Sequence, residues 1–551
     1  MTSRFGATGR GRRIALLVTA ALVALTAAAV AGSTWFRTEE EAPSATRQAC
    51  ALPSSWLTRT VRGYHPERSG HIAVLPVKPA YLASGAGGWS HSGPWPYLQR
   101  IPIVYYGPGV LPARGVIDRP VTIADIAPTL ARLMGGSIDS DGRPMREVAP
   151  RQAVLPDDRP RLILSIVYDG GGWNVLDQWP ESWPVLKKMM EEGTLYANAT
   201  VGSSPSVTPA VHTTLGTGDY PDKHGITGIP VRDEEGTVVD AFLKGESSRF
   251  LEVPALAERW DEANGNRPLV GMVGYEPWHL GMIGKGAEKP GGDRDDAVWL
   301  DIETNDWITN RDHYRLPSAL VDTPGLQAGL DRLDAADGAK DGAWGEHAWL
   351  DEDNREHWEE TPAFIAYHTR MMMNLVRQEG YGNDRLTDLL FTNYKQIDRV
   401  GHYFNMASEE VHDSLVATDG QLGVILESLD KIVGRGKWAV VLTADHGQQP
   451  DASDVGGYGI DPKEVAADID ARFGPITRGV WPTEVFLFDD AMEERDVTVG
   501  EVADFLATYR VGDNTIRPDT KLLGAGEFEP DDKLFAMAIP ARLLPGLRCK
   551  T

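Results

Sequence analysis

Cysteine is almost absent. The 551 residues hold two, Cys50 and Cys549, one near each end. None follows the apolar stretch near the N-terminus closely enough for a lipid anchor. In an exported chain the two could pair; otherwise they are unrelated thiols. Basic residues are also short: 54 Lys and Arg stand against 79 Asp and Glu, a formal net charge of −25. Arg4, Arg10, Arg12 and Arg13 supply four of those positive charges, so the remainder carries about −29. That balance argues against a nucleic-acid polymer as partner, because neutralising phosphates takes clustered Lys and Arg. No internal repeat is visible, and no histidine follows His446. The apolar and charged fractions are ordinary for a globular protein with a sizeable core.

The N-terminus carries a targeting pattern. A basic tail, 1–13, precedes the uncharged run 14–36, which is long enough to span a bilayer. The basic side should stay in the cytoplasm and the acidic "TEEEA" outside. The run reads as a single-pass anchor with the catalytic part extracytoplasmic, or as a signal peptide cut near Ala29–Ser33 that yields a secreted protein. Arg12-Arg13 hints at twin-arginine export. Residues 37–60 are polar and irregular and read as a linker. Residues 61–145 read as globular, with strands in "HIAVLPVKPAYL" and "IPIVYYGPGV" and a helix in "TIADIAPTLARLMGG". Residues 146–160 are Pro-rich and charged and read as a joining linker. Residues 161–551 form the remainder, with a cap-like insertion within about 230–390. Continuous apolar runs such as "LILSIVYDGGG" and "WAVVLTADHGQ" look like buried parallel strands with functional residues at their ends. Strands alternating with helices imply an α/β sandwich.

Several short segments carry chemistry. Asp398 and His402 are four apart, so on a helix they share a face and can grip one cation. Asp445-His446 ends an apolar strand, and Asp169 ends another. Taken singly, each is a surface pair, a turn or a cap. Together they supply the oxygen and nitrogen ligands of a zinc site. In "SPSVTPAVHTTLGTG", Thr208 precedes Pro209 and reads as a helix N-cap. The same geometry puts a hydroxyl beside free N–H groups that welcome an anion, and a nearby metal would turn it into a nucleophile. His212 and His224 read as packing or supporting groups, His65 and His71 as surface or loop residues, and Met371–Met373 as core.

The segments "VYDGGG", "TPAVHTTLGTGDYPDKHGI", "QIDRVGH" and "TADHG" together resemble the alkaline phosphatase superfamily, nearest its nucleotide pyrophosphatase/phosphodiesterase branch. The resemblance covers most of residues 61–551. It implies a three-layer α/β sandwich with a largely parallel central sheet, and a hydrolase with two Zn²⁺ ions, Mn²⁺ or another divalent ion not being excluded. One ion would be held by Asp169, Thr208, Asp445 and His446, with Thr208 as nucleophile. The other would be held by Asp398, His402 and a further histidine. The family supplies that histidine after its "DHG" motif. Here the matching stretch, "SHSGPWPYLQRIPIVYYGPGV", stands at 90–110 and is followed by "VTIADIAPTLARLMG". The resemblance thus implies a circular permutation, with His91 as the missing ligand. It also implies that Cys50 and Cys549 are neighbours joined by a disulfide across the displaced termini.

Two departures bear on substrate. Relatives carry an asparagine shortly after "HGI", where Ile229 stands here. Members that favour monoesters carry a Lys-x-Arg pair, which "VGYEPWHLGMIGKG" lacks. Both weigh towards a phosphodiester, a phosphonate or an unusual group recognised partly by apolar surface, within the expected cleavage of phosphodiester or pyrophosphate bonds, with His279 and Lys285 as candidate substrate contacts. A sulfatase is disfavoured, because "SPSVTP" lacks the arginine of the C/S-x-P-x-R pattern. An envelope headgroup phosphotransferase, a phosphomonoesterase and a non-catalytic metal-binding envelope protein are the alternatives. The partner expected is a phosphorylated small molecule or envelope substrate, with membrane contact through the N-terminal segment. The sequence is silent on oligomeric state.

Overall fold

The apolar runs Leu162–Tyr168 and Trp438–Ala444 are buried at every position. Both faces of their sheet are covered, as a parallel sheet requires. Along Leu162–Tyr168 the side chains divide by parity. Leu162, Leu164, Ile166 and Tyr168 enter one core, while Ile163 and Val167 enter the other. Each fully buried side chain of this kind contributes roughly 1.5–3 kcal/mol relative to exposure.

The computed structural model describes residues 44–83, 89–149, 154–301, 304, 306–320, 326–336, 338–340, 360–514 and 528–549. The basic tail 1–13 and the apolar run 14–36 lie outside the described residues. Among the described residues, no helix is long and apolar enough to cross a membrane.

Among the described residues, ten strands form the central sheet. Leu162–Tyr168 lies in its middle, parallel to Asp388–Tyr394 on one side and to Trp438–Ala444 on the other. Beyond Asp388–Tyr394 stand Val270–Val273 and Asp296–Asp301, also parallel. Helices Pro184–Glu192, Pro362–Leu375 and Glu409–Leu429 cover one face. Helices Ile126–Leu133, Thr208–Thr217 and Leu256–Ala263 cover the other. The result is the expected three-layer α/β sandwich with a largely parallel sheet. Met371, Met372 and Met373 are core residues, as expected.

The front of the chain is woven into this frame. Strand Arg100–Tyr106 runs antiparallel between Trp438–Ala444 and Thr194–Thr200. Strand Ile72–Pro76 lies between Glu484–Leu487 and Phe535–Pro540 in a separate four-stranded sheet.

Two stretches differ from the sequence reading. In the expected linker 37–60, residues 44–51 are helical and Ser54–Gly63 forms a second helix. Ala45 and Ala49 pack with Met537, Ile539 and Leu544, so tertiary packing overrides polar composition there. The expected insertion within 230–390 is not simply laid over the sheet. It contributes the strands Val270–Val273, Asp296–Asp301 and Asp306–Ile308 to the sheet itself. Their short apolar runs are broken by Gly and acidic residues, which hid the strand pattern.

The small sheet carries a titratable group that should shape stability. Burial pushes the Glu484 carboxyl up from 4.5 to about 7, against hydrogen bonds from Ser69 and the Gly70 N–H. Between those two values the folded protein holds a proton that the unfolded chain has released. This contribution is therefore complete below about pH 4.5 and is lost as pH rises through 7. Glu484→Gln should gain stability relative to wild type as pH rises from 5 to 8. Urea midpoints at the two pH values measure it, and an unchanged difference would contradict the assignment.

Candidate active site

Three neighbouring parallel strands deliver side chains to one edge of the sheet, the usual place for a site in an open α/β sheet. Leu162–Tyr168 ends at Asp169, Asp388–Tyr394 carries Asn393, and Trp438–Ala444 ends at Asp445 and His446. Lys395 leads into the helix Gln396–Phe404, which presents Asp398 and His402. His91 comes from the loop before Trp95. Close approach of backbones makes this convergence workable. Gly170 has φ +69° and its N–H donates to Asp445 Oδ1 at 3.0 Å. A Cβ on Gly172 would stand 2.6 Å from Gly447 Cα.

The three candidate histidine ligands share one arrangement. His91 Nδ1 lies 2.9 Å from the Ser206 carbonyl, His446 Nδ1 3.0 Å from the Gly447 carbonyl, and His402 Nδ1 against the Trp89 carbonyl. A carbonyl can only accept, so each Nδ1 carries the proton and each Nε2 offers a lone pair. Those Nε2 atoms turn towards carboxylates. His91 Nε2 is 3.4 Å from Asp398 Oδ1, and His402 Nε2 is 3.3 Å from Asp398 Oδ2. His446 Nε2 is 3.3 Å from Asp445 Oδ2 and 3.5 Å from Asp169 Oδ1. The His91 and His446 rings stack at 3.5 Å between centroids. Burial, with the neighbouring His446, holds His91 well below the usual imidazole range, and burial lowers His446 also. Neutral imidazoles with a fixed tautomer are what a metal ion requires.

Two compact ligand groups result: His91, Asp398 and His446, and Asp169, Asp445 and His446. His402 reaches the first through Asp398. Asp398 Oδ1, Asp445 Oδ2 and His446 Nε2 are buried and make no hydrogen bond, while Asp398 Oδ2 meets Lys395 Nζ at 2.7 Å. Unpartnered buried acceptors on converging residues are costly unless a cation joins them, so the donor set fits a divalent ion.

The carboxylates differ in their surroundings. Burial alone would raise Asp398, but His402, Lys395 and His91 together hold it well below the ordinary value. Asp445 is likewise lowered, burial being outweighed by His446 and His212. Burial and the adjacent Asp445 push Asp169 up. Three carboxylates this close do not all ionise without cations, and Asp169 carries the strain.

Thr208 does not cap its helix. Val207 holds the cap position and Thr208 is the first helical residue, making no side-chain cap hydrogen bond. Its hydroxyl is therefore left for the site. It accepts from Lys395 Nζ at 2.9 Å and lies 3.5 Å from Asp169 Oδ2. A shallow surface depression borders the cluster, lined by Trp89, Ser90, His91, Asp398, Gly401, His402, Gln448 and Gln449.

The structure thus brings together Asp169, Thr208, Asp398, His402, Asp445, His446 and His91. It does not bring the two expected substrate contacts to the open side. His279 is fully buried, with Nδ1 2.8 Å from His212 Nδ1, and His212 Nε2 lies 3.5 Å from Asp445 Oδ2. His279 thus supports the site one contact removed. Lys285 Nζ donates to the Leu251 carbonyl and serves the inserted loop. His224 is a buried partner of Thr214. His65 lies in the loop after the helix Ser54–Gly63, one of the two places expected for it, and is buried there against Glu252. Ile229 is exposed. Cys50 and Cys549 form a disulfide, with Cα atoms 5.3 Å apart.

Sequence reasoning missed Lys395 and Asn393. Asn393 Nδ2 donates to Asp169 Oδ2 at 2.9 Å. Lys395 Nζ lies 3.0 Å from Asp169 Oδ1 and 2.7 Å from Asp398 Oδ2. The i,i+3 spacing of Lys395 and Asp398 was the available signal, but a lysine in a sequence reads as solvent-facing by default.

Fold and site define a phosphoric ester hydrolase of the alkaline phosphatase superfamily. The chain belongs to the type I phosphodiesterase / nucleotide pyrophosphatase family, whose sequence model matches residues 163–461. It is 25% identical over 416 residues to the alkaline phosphatase PafA of Elizabethkingia meningoseptica, covering 64% of this chain and 73% of that protein. It is 23% identical over 416 residues to a Myroides odoratus protein named calcium-transporting ATPase, covering 63% and 72%. The crystal structure of wild-type PafA shares the fold, with a TM-score of 0.51 at 19% identity over 70% of this chain and 89% of that one.

Proposed function

We propose that this chain cleaves phosphodiester or pyrophosphate bonds through a phosphothreonine at Thr208, aided by divalent metal. The observation that carries the reading is a buried hydroxyl, left uncommitted by its helix, set among unpartnered ligand atoms. Asp169, Asp445 and His446 with Thr208 make up one ligand set, and Asp398, His402 and His91 the other. Imidazole, carboxylate and hydroxyl donors suit zinc. When bound, a divalent ion supplies Lewis acidity and neutralises charge on the phosphoryl oxygens.

The residues do the rest. Thr208 Oγ1 forms a bond to phosphorus as the bond to the leaving oxygen breaks, and the bonding pair departs with that oxygen. The threonine proton passes towards Asp169 Oδ2. Water then attacks phosphorus, and Oγ1 leaves and recovers a proton. The free N–H groups at the start of the Thr208–Thr217 helix favour the negative phosphoryl group. The exposed Ile229, and the absence of a Lys-x-Arg pair, favour an ester with an apolar substituent over a monoester.

The order of the chain is read as a circular permutation of the family's order, with 61–145 as the displaced last part and 146–160 as the join. Its support is the position of His91 against Asp398 and of Arg100–Tyr106 within the sheet. The basic tail and apolar run at the N-terminus, with the disulfide, support an extracytoplasmic location.

An aryl phosphodiester assay tests the reading. Chelation should abolish activity, and added Zn²⁺ or Mn²⁺ should restore it. His91→Ala should raise the Zn²⁺ concentration needed for half-restoration by at least about tenfold. Full activity after chelation would refute metal dependence, and an unaltered His91→Ala titration would refute the ligand role on which the permutation rests.

A further inference from the structure

The expected complement of the site is two divalent ions, but the cluster already contains a cation of its own. Lys395 Nζ touches Asp169 Oδ1 at 3.0 Å, Asp398 Oδ2 at 2.7 Å and Thr208 Oγ1 at 2.9 Å. The residue is 4% exposed. Two of its three partners, Asp169 and Thr208, are the oxygens that an ion activating the nucleophile would need.

Building on the metal-dependent reading above, we propose that the Lys395 ammonium replaces one of the two ions. The site then takes a single divalent cation, at His91, Asp398 and His446 with His402 alongside, while Lys395 serves Thr208.

Two features carry this. The first is charge. The three carboxylates of Asp169, Asp398 and Asp445 face one ammonium, that of Lys395, so one divalent ion balances the remainder; two would leave a buried excess of two positive charges, which the interior does not tolerate without further anions. The second is geometry. The ammonium donates to the very atom that must become negative as the bond to phosphorus forms, and it holds Thr208 and Asp169 in place beforehand. A compact ammonium is suited to this role, having three donors for three acceptors.

The test is metal stoichiometry on the full chain, stripped with chelator, dialysed against excess Zn²⁺ and then against metal-free buffer, and read by elemental mass spectrometry. Wild type should retain one Zn²⁺ per chain. Lys395→Met, which keeps the stem and removes the charge, should retain two. Lys395→Arg, which keeps the charge, should retain one. Circular dichroism confirms that each variant is folded, and the wild-type count stands even where a variant does not fold. Two ions in wild type with intact phosphodiesterase activity would overturn the proposal and leave the metal-dependent reading standing. One ion in Lys395→Met would also overturn it. No ion and full activity would bring down both.

Discussion

Thr208→Ala should lower kcat on an aryl phosphodiester by on the order of 10⁴-fold or more, the scale seen when a nucleophile is removed from an otherwise intact site. The substitution deletes one hydroxyl and one methyl at the first helical position. Alanine is well accepted there, and Pro209 still opens the helix. Thr208 makes no capping bond, so its loss does not release the helix start. The thermal midpoint should therefore stay close to that of wild type while turnover collapses. Thr208→Ser keeps the oxygen and should retain activity within about tenfold. Acid quenching of wild type during turnover should trap one phosphoryl group per chain, still carrying its remaining ester substituent, on the peptide that contains Thr208. Activity of Thr208→Ala within tenfold of wild type would remove Thr208 from the nucleophile's role.

Opening the Cys50–Cys549 bond should produce the largest loss of stability available from two surface changes. The bridge spans 499 residues. The chain-entropy relation puts its effect on the unfolded state at about 6 kcal/mol, an upper figure because native strain and residual structure reduce it. For a chain of this size that is roughly 5 °C in thermal midpoint. The bond also ties together elements that matter to the site. The helix at 44–51 packs on Met537 and Ile539, and Gln48 Oε1 accepts from the Ala538 N–H at 2.9 Å. The helix that follows braces the loop before Thr208, since the Arg59 carbonyl accepts from the Ser204 N–H at 3.0 Å. On the other side, the Arg59 guanidinium donates to the Pro94 carbonyl at 2.6 Å, in the loop after His91. A Cys50→Ser/Cys549→Ser variant, compared with oxidised wild type by calorimetry, measures the effect. Equal midpoints would show that the packing of 44–51 against the C-terminal strand suffices alone.

These expectations separate what a linear string encodes from what folding adds. Leu162–Tyr168 and Trp438–Ala444 announced themselves as buried strands, because burial on both faces leaves an uninterrupted apolar run. Asp169, Asp445 and His446 were legible for the same reason, each standing where such a run stops. Asp398 and His402 were legible from helical spacing. The strands Val270–Val273 and Asp296–Asp301 were not, because an element of four to six residues broken by Gly and Asp carries too little period to distinguish it from a loop. His279 was misplaced for a related reason. Nothing in a sequence tells a histidine buried against His212 from one that faces a substrate.

By itself, the sequence determined the fold class and singled out the residues that the structure gathers into one cluster, Asp169, Thr208, Asp398, His402, Asp445, His446 and His91. Those rest on local periodicity and on side-chain chemistry that does not change with context. Tertiary structure alone decided which lone pairs point inward, which oxygens lack partners and that a lysine stands among three carboxylates. Each of these depends on backbone carbonyls and side chains hundreds of residues apart meeting within hydrogen-bonding range, and a one-dimensional pattern contains no such distances.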